Sequence, residues 1–194
     1  MARRAGRARF CRDAVVEGAA AFLSWFGASL VVLADGRRGL ALGTVLAAGG
    51  LSAVVWQAAG PVPAILLAAG GAAAAGFRLM TGAKGWGVMP PGSTPRIVLS
   101  AAGGLLALWI ALGITGGENA GLRFSALTVI GLAGARILAS DVVEAQLTAV
   151  ALIALAVAAA SGLAPTESAV WPCLMAAVIA AGVGWLRSGA PRAA

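Results

Sequence analysis

The densest group of ionisable side chains beside an apolar run is Arg136, Asp141 and Glu144. On a continuing helix Asp141 and Glu144 stand three residues apart and share a face, with Arg136 five residues before Asp141. Carboxylates beside a cation within a membrane are expensive to hold, and proteins use them to couple ions or protons. The same residues also suit a turn between two helices, as a solvated ion pair, and their place between two apolar runs favours that use. Glu17 is the second candidate. No basic residue lies one turn away on its apolar side, and it reads as a carboxylate reaching the interface beside Arg12 and Asp13. Gln57 follows Trp56 near the end of an apolar run and reads as half of an interfacial pair. Thr44, Ser100, Thr115, Ser125 and Thr128 are hydroxyls of the kind that bond across membrane helices or back to their own backbone.

The missing residue types narrow the chemistry further. The chain has no His and no Tyr, and Asp and Glu together number 7. Without His there is no haem imidazole, no imidazole proton shuttle and no His metal site. Cys11 and Cys173 lie near opposite ends of the chain, without a CxxC motif. No phosphate-cradling glycine loop or nucleophile elbow sits in a strand–turn–helix context. No cofactor and no metal are expected, and the balance leans away from an enzyme. The net charge of +7 would point to nucleic acid in a soluble protein. Here the arginines flank apolar runs, so the expected partner is a lipid bilayer with anionic headgroups, not nucleic acid. Other membrane subunits or self-association come next.

The elements that position these residues follow from composition. Of 194 residues 60% are hydrophobic and 11% charged, and the mean hydropathy is +0.94. A soluble domain carries about 25% charged residues. Apolar runs cover 14–34, 40–59, 62–80, 97–115, 122–139, 145–164 and 169–187. Each is close to the roughly 20 residues that cross a bilayer core as a helix. Ala and Leu dominate and alternation is absent, so none reads as a strand. Breaks fall at Asp35-Gly36-Arg37-Arg38-Gly39, at Gly60-Pro61-Val62-Pro63, across 81–96, at 116–119, at Ser140-Asp141 and at 164–168. In the last, Pro165 ends one helix and Thr166 offers an N-cap for the next.

The expected fold is therefore all-α, a polytopic membrane helical bundle. A basic cytoplasmic tail (1–13) leads into one membrane domain (14–188), and a short tail (189–194) follows. Arg38 and Arg78 stand forty residues apart, as do Arg96 and Arg136, and Gln146 and Arg187 stand forty-one apart. That spacing fits two spans and a tight turn, so the domain reads as three tandem hairpins at about 38–80, 96–139 and 145–187. Placing both ends of every hairpin in the cytoplasm gathers Arg37, Arg38, Arg78, Lys84, Arg96, Arg136, Arg187 and Arg192 inside and leaves Arg123 outside. The first apolar run disturbs this partition. Hydropathy counts it as a seventh span, yet a crossing would separate Arg3, Arg4, Arg7, Arg9 and Arg12 from Arg37 and Arg38. The expectation is that 14–34 packs on the bundle tilted or in the interface, with both termini cytoplasmic.

Small residues recur four apart, at Gly39/Gly43/Ala47, Gly70/Ala74, Gly103/Ala107, Gly131/Ala135 and Ala156/Ala160, and would let helices approach closely. Three tandem hairpins, the first with a Pro turn and a Gly-rich second helix over 61–76, resemble the HdeD-like family of small, often six-span, bacterial acid-resistance membrane proteins. The resemblance covers 38–187 and rests on architecture and glycine spacing. It implies a fold and a bacterial inner membrane, and it carries over no functional residue. The function expected is that of a non-catalytic structural, accessory or stress-related membrane component. The alternative is a small transporter or channel for an ion or small solute.

Overall fold

A computed structural model describes residues 2–81, 84–88, 94–114, 119–164 and 169–185. Among these residues the chain is all-α. Its helices are α1 (Ala2–Leu33), α2 (Arg37–Ala59), α3 (Pro61–Met80), α4 (Thr94–Trp109), α5 (Ala120–Ala139), α6 (Val143–Ser161) and α7 (Val170–Trp185). A π-helical stretch, Ile110–Ile114, continues α4. Six helices contain segments long and apolar enough to cross a membrane, including Ala14–Leu33 within α1, and α7 is apolar but shorter. The chain is a multi-pass membrane bundle.

Local chemistry explains the turns. Gly60 adopts φ +93°, a conformation that a side chain resists, and its N–H donates to the Trp56 carbonyl at 3.2 Å. Pro61 then opens α3, where its fixed φ fits and no N–H is required. Asn119 holds φ 64° just before α5, as Asn tolerates better than most residues. The Pro165–Thr166 signal and Thr115 lie outside the described residues.

The helices group as three, one and three. Helix α2 packs along both α1 and α3, and α6 packs along both α5 and α7. These two triplets lie face to face, α1 against α5, α2 against α5 and α6, and α3 against α6 and α7. Leu40, Leu51 and Leu67 from the first triplet and Leu122, Leu132, Leu152 and Leu155 from the second fill the core. Helix α4 connects the triplets from the flank, touching α1 and α5. Its apolar window is 22% buried, against 67% for α2. The 38–80 and 145–187 hairpins are closely packed, while the 96–139 pair is the loosest of the three. Several of the small residues do bring helices together: a Cβ on Gly70 would strike Ala177, and one on Gly43 would strike Val31 and the Gly27 carbonyl. Gly131 faces open space instead.

The first helix departs from expectation. Gly121, at the start of α5, bonds Glu17. Farther along α1, Ser24 lies against Gly50, and Gly27 lies against Gly43 and Ala47. Asp35, just past the end of α1, reaches Arg136 in the last turn of α5. Helix α1 thus runs the height of the bundle, antiparallel to α2 and parallel to α5, and does not lie across its end. Glycine and alanine faces make this close approach possible, which a charge count does not register. Phe77 and Trp185 pair their rings at 5.9 Å, so α7 finishes at the end where α3 finishes. Helix α1 begins at the opposite end.

Candidate functional site

The polar centre of the bundle is Asp35, in the three-residue turn between α1 and α2. Its carboxylate accepts from Arg136, whose guanidinium also donates to the Ala34 carbonyl at 3.1 Å. Arg96, at the start of α4, donates to both Asp35 oxygens at 3.3 and 3.2 Å. Arg136 is 1% exposed, while Asp35 and Arg96 each keep 27% of their side-chain surface in contact with the surroundings. Burial pushes the Asp35 carboxyl up. Hydrogen bonds and charge from Arg136 and then Arg96 outweigh that and hold it below its ordinary value.

Residues 84–88 seal this end. The Asp35 N–H donates to the Gly87 carbonyl at 3.0 Å, the Arg38 N–H donates to the Gly85 carbonyl at 3.3 Å, and Ala34 bridges Val88. The Gly85 carbonyl therefore serves one of the otherwise unsatisfied N–H groups at the start of α2, where no side chain caps the helix. Gly36 admits the loop: a Cβ there would stand 2.6 Å from the Gly85 oxygen. Part of the long 81–96 connection thus has a shape, and it is used to cap the α1–α2 turn.

The group expected at 136–144 is not a unit. Arg136 turns to Asp35, Asp141 is exposed, and the charge of Glu144 acts on Arg78 in the last turn of α3. The reason is geometric. The chain turns over 140–142, the turn that the favoured reading placed there, and does not continue as one helix, so Arg136 shares no helix face with Asp141 and Glu144. One arginine–acid pair joins the triplets at this end, Asp35 of the first with Arg136 of the second. Gln146 closes the second turn by donating to the Ser140 carbonyl at 2.5 Å. Asp35 was legible only as a break. A lone acid between two apolar runs, at the end that also collects Arg96 and Arg136, is the signal that could have found it.

Glu17 stands at the other end of the bundle, where its Oε1 accepts from the Gly121 N–H at 2.8 Å. A carboxylate on one helix here serves the positive N-terminus of another. Gln57 and Trp56 are both exposed and line a cleft of about 970 Å³ with Ser52, Ile65 and Val16. Thr44 and Ser100 bond their own helices, to the Leu40 and Ile97 carbonyls. Among the described residues, the buried hydroxyls of Ser125 and Thr128 of α5 and of Ser29 of the neighbouring α1 have no partner, nor do Nε and Nη1 of Arg136. Among the described residues no group of His, Cys, Asp and Glu is arranged to hold a metal ion.

Fold and site define the class: a multi-pass helical membrane protein with a buried arginine–aspartate centre at one end. Neither a family model nor a curated protein nor a solved structure matches the chain.

Proposed function

We propose that this chain is a non-catalytic structural or accessory component of a bacterial inner membrane, related in architecture to the HdeD-like family. The observation that carries this reading is what its charges are engaged in. Asp35 ties the α1–α2 turn to α4 and α5, and Glu17 ties α1 to α5. Each holds helices together. The end bearing Arg37, Arg38, Arg78, Lys84, Arg96 and Arg136 faces the cytoplasm and anionic headgroups. Outer faces meet lipid, further subunits or a second copy.

A second reading, a small-solute or ion transporter, is favoured by one specific arrangement. Two three-helix units are tied by charge at one end, and buried hydroxyls without partners among the described residues stand on the adjoining α1 and α5. Units that rock about such a seam are a known transport design. Proteoliposomes separate the two readings. Proton and potassium permeability equal to that of protein-free vesicles, together with a lowered melting temperature for Asp35→Asn, supports the structural reading. A saturable flux that Asp35→Asn abolishes overturns it in favour of transport.

A further inference from the structure

Helix α4 is held to α1 through Trp25, and elsewhere along α1 a second contact joins α1 to α5, with space between the two. Trp25 of α1 donates its indole N–H to the Ser100 carbonyl at 3.1 Å and fills the notch left by Gly104. Toward the other end, Glu17 bonds Gly121, a residue whose missing side chain makes room for the carboxylate. Between these contacts lie two apolar cavities of about 340 and 350 Å³. Both are lined by Trp25, Leu108 and Phe124, so they form one slot running along α4. Either volume is within the size of a small-molecule site, about 300–1,000 Å³. Phe22, Leu105 and Leu112 at its rim are 56%, 68% and 60% exposed, so the slot opens sideways toward the acyl chains of a bilayer.

Two features distinguish this slot from an ordinary crevice between helices. Glu17 is the only ionisable residue among the described residues lining it, and it sits where the slot meets the end of the bundle. Ala111 and Leu112, facing Glu17 across the slot, belong to the π-helical stretch Ile110–Ile114. Such widened turns are uncommon and recur at functional sites. An apolar channel with a carboxylate at its mouth is complementary to an apolar chain bearing a cation. A head bearing an anion and no cation would be repelled, and one without a donor would add nothing to the Gly121 N–H that the described residues supply.

We propose that the α1–α4–α5 slot binds an aminophospholipid of the surrounding bilayer, an acyl chain lying along Trp25 and Leu108 and the ammonium head bonded to Glu17. This goes beyond the structural reading and holds under either function.

The test uses the full-length protein reconstituted in vesicles of equimolar phosphatidylethanolamine and phosphatidylglycerol, extracted in mild detergent and analysed for retained lipid. The expected result is about one phosphatidylethanolamine per chain, favoured over phosphatidylglycerol by about tenfold, which is what one charge-assisted hydrogen bond supplies. Gly18→Leu fills the slot from a position whose Cβ meets no other atom, and should abolish retention. Glu17→Gln keeps an acceptor for the Gly121 N–H, so it should fold normally and lose the headgroup preference. Equal retention of both lipids by the unmodified protein overturns the proposal, as does undiminished phosphatidylethanolamine in a folded Gly18→Leu variant. An undiminished preference in Glu17→Gln does the same.

Discussion

Replacing Asp35 by Ala should destabilise the bundle more than any other single change at a charged residue. The substitution leaves Arg136, 1% exposed, with the Ala34 carbonyl as its remaining described acceptor. Removing one partner of a fully buried ion pair costs about 3–5 kcal/mol. That range is an upper bound here, because Asp35 and Arg96 each retain 27% exposure and water replaces part of what is lost. We expect a loss of about 2–3 kcal/mol. For a chain of this size each kcal/mol moves the melting temperature by roughly 2–4 °C, so the detergent-solubilised variant should melt about 4–12 °C lower. The double variant Asp35→Ala/Arg136→Met removes both charges and should recover much of the loss, since an apolar pair at a buried site is close to neutral. A single variant melting within a degree of the parent would refute the reasoning, because the Arg136 charge would then be satisfied elsewhere. Strict additivity in the double variant would refute it equally, by showing that the two residues do not interact.

Asp35 also sets an acid limit. Its carboxyl is held below the ordinary 3.8, so its contribution is fully present above pH 3.8 and is lost as pH falls through the lower native value. A melting-temperature series in acid should therefore drop below pH 3.8 in the parent and flatten there in Asp35→Asn. Gly27→Leu should be poorly tolerated, because even its Cβ would strike the Ala47 backbone, and overpacking of this kind costs about 1–3 kcal/mol or more. Gly131→Ala, facing open space, should leave the melting temperature unchanged or raise it, which the same thermal assay reads directly.

The bundle was readable because bilayer thickness sets the length of a spanning helix. The run at 40–59 is α2 (Arg37–Ala59) extended at its start, and the run at 122–139 is α5 (Ala120–Ala139). The gathering of Arg38, Arg78, Arg96 and Arg136 at one end followed from the same lengths. Pairing within that end was not readable. Spacing rules compare residues a turn or two apart, and they offered Asp141 to Arg136, whereas the acid it meets comes from a turn 101 positions away. The looseness of α4 was equally hidden, since its run is as apolar as its neighbours and only their shapes decide which helices interlock.

The first helix is where two sound rules disagree, and packing decides between them. Five arginines before residue 13 resist transfer across a membrane, and Arg37 and Arg38 do so too. That bias acts on the flanks alone. Along its length α1 is secured at three heights: by Glu17 on Gly121, by Trp25 on Ser100, and by the turn at Asp35 on Arg136. Between these, Ala20, Ala28, Val31 and Val32 are at most 4% exposed. A helix lying in the headgroup plane would surrender all three contacts and strand Arg136 without its carboxylate. This packing favours a crossing helix, and the expected outcome is that its flanks face opposite solutions. In a background lacking Cys11 and Cys173, single cysteines replacing Arg7 and Arg37 should differ: one labels with a membrane-impermeant thiol reagent in intact cells and the other does not. Equal protection of both would show that α1 stays on one side in the membrane, and equal labelling of both would show the same.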